Sequence, residues 1–198
     1  LNIQVREART ERLLEALQSG ALDVAIMALP SGMSGLVEEE LFADRFLLAG
    51  SANRLAQVNA GQPRLGPKDL QAEQLMLLED GHCLTDQALA VCGVARASSG
   101  INMGAGSLAT LSHLVAAGFG LTLMPELAAA SECGAAKGLC VQRFSTPEPQ
   151  RRIGLVRRTS TSRDGWFQDL AQVARQTGQT ILAQAQNDYG PANGAPGL

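Results

Sequence analysis

Short apolar runs alternating with amphipathic stretches constrain this chain more than any other feature. LDVAIMAL (22–29) is a nearly unbroken apolar run closed by Pro30, which suits a buried strand. It follows TERLLEAL (10–17), where Leu13, Leu14 and Leu17 share one helical face. Thr10 suits the N-cap of that helix and Gly20 its stop. LMLLED (75–80) and FGLTLMP (119–125) read as strands, and SLATLSHLVAA (107–117) as a helix capped by Ser107 and ended by Gly118. LVEEELFADRFLLAG (36–50) carries extended segments, RRIGLVRR (151–158) is a strand charged at both ends, and 166–183 forms a last helix. Strands alternating with helices predict an α/β fold with mainly parallel sheets. Residues 51–67 and 128–139 read as mobile loops, and the Gly/Pro/Asn-rich stretch 187–198 as a disordered tail.

Composition bounds the function classes. The 198 residues are 45% hydrophobic and 18% charged, sufficient for one sizeable domain or two small lobes. A net charge of −3 argues against a nucleic-acid surface, which is normally strongly basic. No apolar run reaches the roughly 18 residues of a membrane span. The opening residues are charged, unlike a secretion signal, and the missing initial methionine reads as a piece of a longer chain. Four cysteines, at 83, 92, 133 and 140, form no C-x-x-C pair, and there are two histidines, so neither a disulfide scaffold nor a metal site is expected. No cofactor is expected either. A cytoplasmic chain with reduced thiols fits best, and there a disulfide is a signal or a catalytic step.

The chemistry concentrates in EDGHCLTDQALAVC (79–92). It spans the junction of the 75–80 strand with a helix starting at Leu84 or Thr85, and Thr85 suits the cap. Ligands bind at the carboxyl ends of strands in open α/β sheets. A helix N-terminus carries about half a positive charge, which favours a thiolate, and an adjacent imidazole such as His82 does the same. Were Cys83 and Cys92 on one helix, their Cα atoms would stand about 13 Å apart. A disulfide needs about 7 Å or less, so oxidation would have to refold the segment. Two small buried core residues explain the same cysteines equally well on chemistry alone. Cys133 and Cys140 read as incidental, His113 as packing or surface. Arg151, Arg152, Arg157 and Arg158 read as solvated strand ends rather than a nucleic-acid patch.

LLEDGHCLTDQALAVC closely resembles the redox loop of the peroxide-sensing LysR-type transcriptional regulators, which reads E-D-G-H-C-L-x-D-Q with a second cysteine at this spacing. SGALDVAIMALP, SLATLSHLVAAGFGLTLMP and PEPQRRIGLVRR are similar to other parts of LysR-type effector domains. The resemblance implies two Rossmann-like lobes like those of type 2 periplasmic binding proteins, one of residues 1–42 plus 152–198 and one of 43–151. It implies that Cys83 is the peroxide-reactive thiol and Cys92 its resolving partner. His82, Asp86 and Thr10 would belong to the peroxide pocket, and Arg151 to the segment whose contacts change with redox state. Thr10 competes for that role with a plain helix cap. The implied partners are hydrogen peroxide, a thioredoxin- or glutaredoxin-type reductant and further copies in a homodimer or homotetramer. DNA would be met only through an N-terminal domain outside this sequence, and no membrane is involved. Thr85 departs from the family, which often has arginine there, as does Gly106 before Ser107, where threonine is frequent. The alternatives are an effector domain that binds a small metabolite between its lobes with inert cysteines, and a true thiol peroxidase.

Overall fold

The computed structural model describes residues 3–59, 64–79, 83–93, 101–161 and 165–190. The chain forms two compact units, Leu1–Asp44 with Arg151–Ile181, and Arg45–Gln150 with Leu182–Leu198. It passes from one to the other inside a long strand, inside a returning strand and inside the last helix. The expected boundaries lay at 42/43 and 151/152, with the whole last helix in the first unit. The contacts instead place that helix from Leu182 onward with the second.

The first unit contains α1 (Thr10–Ser19), β1 (Val24–Leu29), the start of β2 (Leu36–Ser51), most of β7 (Gln150–Arg158) and most of α6 (Trp166–Tyr189). β7 lies between β1 and β2, and pairs antiparallel with β1, Met27 opposite Gly154. Successive strand residues face opposite sides. Val156 therefore joins Leu14, Leu17, Ala25 and Met27 under α1, while Leu155 joins Leu41, Phe167 and Ala171 under α6. α1 stops where expected, at Gly20 in the left-handed region (φ 81°), whose N–H meets the Leu17 carbonyl. Its N-cap is Arg9, however, Thr10 is the first helical residue, and no side-chain cap bonds the N–H groups there. Arg157 and Arg158 are not solvated strand ends. Arg157 is buried with its guanidinium 4.9 Å from the Phe167 ring centroid. Arg158 donates to the carbonyls of Leu17 and Leu22, satisfying the open end of α1. α6 continues to Tyr189, so residues 187–189 are helix rather than tail.

The second unit holds the rest of β2, then α2 (Ala52–Asn59), β3 (Met76–Leu78), α3 (Cys83–Cys92), β4 (Ile101–Ala105), α4 (Leu108–Ala116), β5 (Leu121–Pro125), α5 (Glu126–Ala135) and β6 (Leu139–Gln142). β2 pairs antiparallel with β5 (Leu48 opposite Leu123) and with β6 (Gly50 opposite Cys140). β3 and β4 are parallel, and a parallel bridge joins Leu75 to Leu121. Antiparallel pairing thus exceeds the expected parallel pairing among the described strands. The strand that carries the chain between units runs against its neighbours, and a continuous apolar run reports burial, not direction. β2 again feeds two cores, Phe46 and Leu48 packing with Leu121, Leu123 and Phe144, and Leu47 and Ala49 with Leu111, Val115 and Met124. The stretches expected as mobile loops hold α2 and most of α5. Residues 60–63 lie outside the described residues. Ser107 caps α4 as expected, accepting from the Thr110 N–H at 3.2 Å.

A buried ion cluster closes this unit. Arg143 donates to Glu126, lies 3.3 Å from Glu148 and also donates to the Gly190 carbonyl just past α6. Arg45 adds a contact to Glu148 at 3.2 Å.

Candidate redox site

β3 ends at Leu78, and the Glu79 N–H donates to the Ala105 carbonyl at 3.1 Å, tying the strand exit to the end of β4. Residues 80–82, His82 among them, lie outside the described residues. α3 starts at Cys83 and finishes at Cys92. The helix lies on its unit through Thr85, Ala88 and Leu89, all buried and spaced i, i+3, i+4. Leu84 is half-buried against both cores of the second unit. Asp86 is exposed in the first turn, where a carboxylate suits the positive end of the helix.

Thr85 is not the helix cap. It sits inside the first turn, and its hydroxyl donates to the Leu78 carbonyl at 3.0 Å in a buried hydrogen bond. The helix begins at Cys83, three residues earlier than a Thr85 cap would allow, and both cysteine positions fall within it. Nine helical steps separate them by about 13 Å of rise and, at about 100° per residue, half a turn. The side chains of Cys83 and Cys92 lie outside what is described, but the backbone alone exceeds the reach of a disulfide of about 7 Å between Cα atoms.

Thr10 begins α1 and is half-buried, and Arg151 lies on β7; both belong to the first unit, whereas α3 belongs to the second. The structure therefore brings Cys83, Asp86 and Cys92 onto one element. Arg151 grips the buried Asp44 carboxylate with two nitrogens, Nε at 2.9 Å and Nη2 at 2.8 Å. His113 is exposed on α4. Cys133 and Cys140 are both half-buried and free. Burial pushes the Cys133 thiol up, partly offset by its hydrogen bond with Tyr189. Burial, and then the same bond, push the Tyr189 phenol up to about 12. Sequence reasoning missed Tyr189, which lies in the stretch read as tail, and Thr85's tie, which no local pattern signals. Among the described residues no group of three or more His, Cys, Asp or Glu side chains could hold a metal ion. No described helix is long and apolar enough to cross a membrane.

The α/β architecture matches that of LysR-type effector domains. Residues 1–179 match the LysR substrate binding domain, and the chain belongs to that family. Within it the chain is closely related to OxyR regulatory domains. It is 39% identical over 190 residues to a probable hydrogen peroxide-inducible genes activator of Streptomyces viridosporus, covering 95% of this chain and 60% of that protein. It is 38% identical over 175 residues to the DNA-binding transcriptional dual regulator OxyR of Escherichia coli K12, covering 88% and 56%. Among solved structures, an OxyR C206 mutant of Corynebacterium glutamicum superposes with a TM-score of 0.80 at 37% identity, covering 91% of this chain and 56% of that one. The reduced regulatory domain of OxyR2 from Vibrio vulnificus gives 0.75 at 34%, covering 86% and 79%. The chain spans roughly three-fifths of the length of the curated relatives it matches.

Proposed function

We propose that this chain is the peroxide-sensing regulatory domain of a LysR-type transcription factor, with Cys83 as the reactive thiol and Cys92 as the resolving one. One observation carries the reading: the two cysteines of EDGHCLTDQALAVC are the first and last residues of a single helix. A bond between them therefore requires α3 to open, which turns oxidation into a change of fold. The Cys83 thiolate attacks one oxygen of hydrogen peroxide. An S–O bond forms, the O–O bond breaks, and the departing hydroxide takes a proton to become water. The sulfur is oxidised by two electrons and the peroxide is reduced. The Cys92 thiolate then attacks the sulfenic sulfur, forming the S–S bond as the S–O bond breaks, and the departing hydroxide takes a proton to leave as a second water.

The position of Cys83 at a helix N-terminus supports a stabilised thiolate. His82, Asp86 and Thr10 are carried as the peroxide-handling residues, and Arg151 as the residue whose contacts exchange on oxidation. A thioredoxin- or glutaredoxin-type dithiol resets the switch by taking up the disulfide in exchange. The protein works in the cytoplasm as a homodimer or homotetramer and meets DNA through a domain outside this sequence. It is a regulator rather than a turnover enzyme. The names of its relatives, as hydrogen peroxide-inducible activators, support this reading. Brief exposure to micromolar-range peroxide followed by peptide mass spectrometry tests it. A Cys83–Cys92 crosslink, reversed by dithiothreitol and absent from Cys83→Ser, is the expected result. A Cys83 that stays reduced in the folded protein would favour a metabolite-binding effector domain with inert cysteines.

A further inference from the structure

The switch described above needs α3 to leave its seat, so whatever holds the first turn of α3 sets how readily the second thiol reaches the first. Leu84 in that turn, with Ala88 and Leu89 in the next, packs α3 through apolar contacts. Thr85 adds a polar one. The Thr85 hydroxyl donates to the Leu78 carbonyl at 3.0 Å, with Thr85 only 4% exposed. Leu78 is the last residue of β3, and the next residue is itself held by the Glu79 N–H to Ala105 carbonyl bond. The hydroxyl thus bridges the short span from the strand end to the helix start, seven residues in sequence, and water cannot replace it cheaply at a buried site.

We infer that Thr85 is a positioning residue of the sensor, acting as a latch that holds α3 against β3 and so slows closure of the Cys83–Cys92 disulfide after Cys83 has been oxidised. The inference rests on the proposed function. Its consequence is kinetic: the latch prolongs the sulfenic acid at Cys83 by making the helix slower to open. Formation of the sulfenic acid is not slowed, because that step needs the helix in place.

The experiment uses the 198-residue chain. Peroxide is added in a quenched-flow series, sulfenic acid is trapped with a dimedone-type reagent, and the crosslinked peptide is quantified in parallel. Thr85→Val keeps the shape and removes the donor, and Thr85→Ala does the same with a better helix former. Thr85→Ser keeps the hydroxyl. The expected result is closure about fivefold faster in Thr85→Val and Thr85→Ala, the factor that one buried hydrogen bond supplies. Thr85→Ser stays near the unsubstituted rate, and the rate of sulfenic acid formation does not change in any of the three. Val141→Ala, a packing change on β6 in the same unit, leaves closure unchanged, which separates the latch from general loosening. Closure in the two donor-free variants within twofold of the unsubstituted chain overturns the latch while leaving the sensor reading intact. A Cys83 that is never oxidised in the unsubstituted chain overturns both.

Discussion

Tyr189 is the single tyrosine of the chain, and its phenol is linked to the Cys133 thiol near the end of α6. Its folded pKa, about 12, lies above the ordinary value of 10. The protonated phenol therefore contributes stability in full below pH 10, and that contribution is lost as pH rises from 10 through about 12. A near-ultraviolet absorbance titration isolates this one group. The native chain should titrate near 12 and the urea-unfolded chain near 10. Because burial is the larger cause, Cys133→Ala should keep most of the rise; a fall to the unfolded value would assign it to the thiol instead. Arg143 makes a second prediction at this scale. Its neutral replacement Arg143→Met leaves Glu126, fully buried, without its closest cation. Removing one member of a buried pair costs about 3–5 kcal/mol, readable as a lowered urea midpoint at unchanged slope. Neither group was legible in the sequence. A tyrosine in a polar stretch looks solvated, and nothing local pairs an arginine with a glutamate 17 residues away.

At the scale of elements, two helix-interior glycines should respond oppositely to the same substitution. In α6 a Cβ on Gly178 would clash with Cε1 of Phe42, because the ring lies directly on the helix backbone. Gly178→Ala should therefore destabilise by about 1–3 kcal/mol despite its helix propensity. In α5 a Cβ on Gly134 meets nothing within 4 Å. Gly134→Ala should stabilise by about 0.5–1 kcal/mol. Thermal unfolding of both variants gives the signs. The elements themselves were largely legible. The Leu13, Leu14 and Leu17 face and Gly20 marked α1, and Ser107 with Gly118 bracketed α4. α2 and α5 were not, since α2 is only eight residues long with Leu55 as its one buried residue, and α5 is an Ala-rich stretch of weak amphipathicity that resembles a loop when read alone. Thr85 shows why boundaries are harder than elements. Threonine favours helix caps, and only the tertiary position of the Leu78 carbonyl draws it into the first turn instead.

For the whole molecule, the strand–helix alternation was sufficient to indicate an α/β fold, while strand direction was not in the pattern. Buried apolar runs look alike whether their neighbours run parallel or antiparallel, and β2 with β5, β6 and β7 with β1 take the antiparallel choice. The division into two units was legible only through the family resemblance. The Asp44–Arg151 pair marks where two of the three chain passages leave the first unit, one residue on each strand. The motif of the candidate site stood out in the sequence through its family resemblance; that both cysteines are held in one helix had to come from the structure. The account stands on α3 being folded before oxidation and open after it. Hydrogen exchange of the backbone amides between residues 87 and 92, measured before and after peroxide, tests this most directly. The account predicts protected amides in the reduced chain, loss of that protection when the Cys83–Cys92 crosslink forms, and retained protection in Cys83→Ser treated alike. A crosslink that forms while those amides stay protected would contradict it.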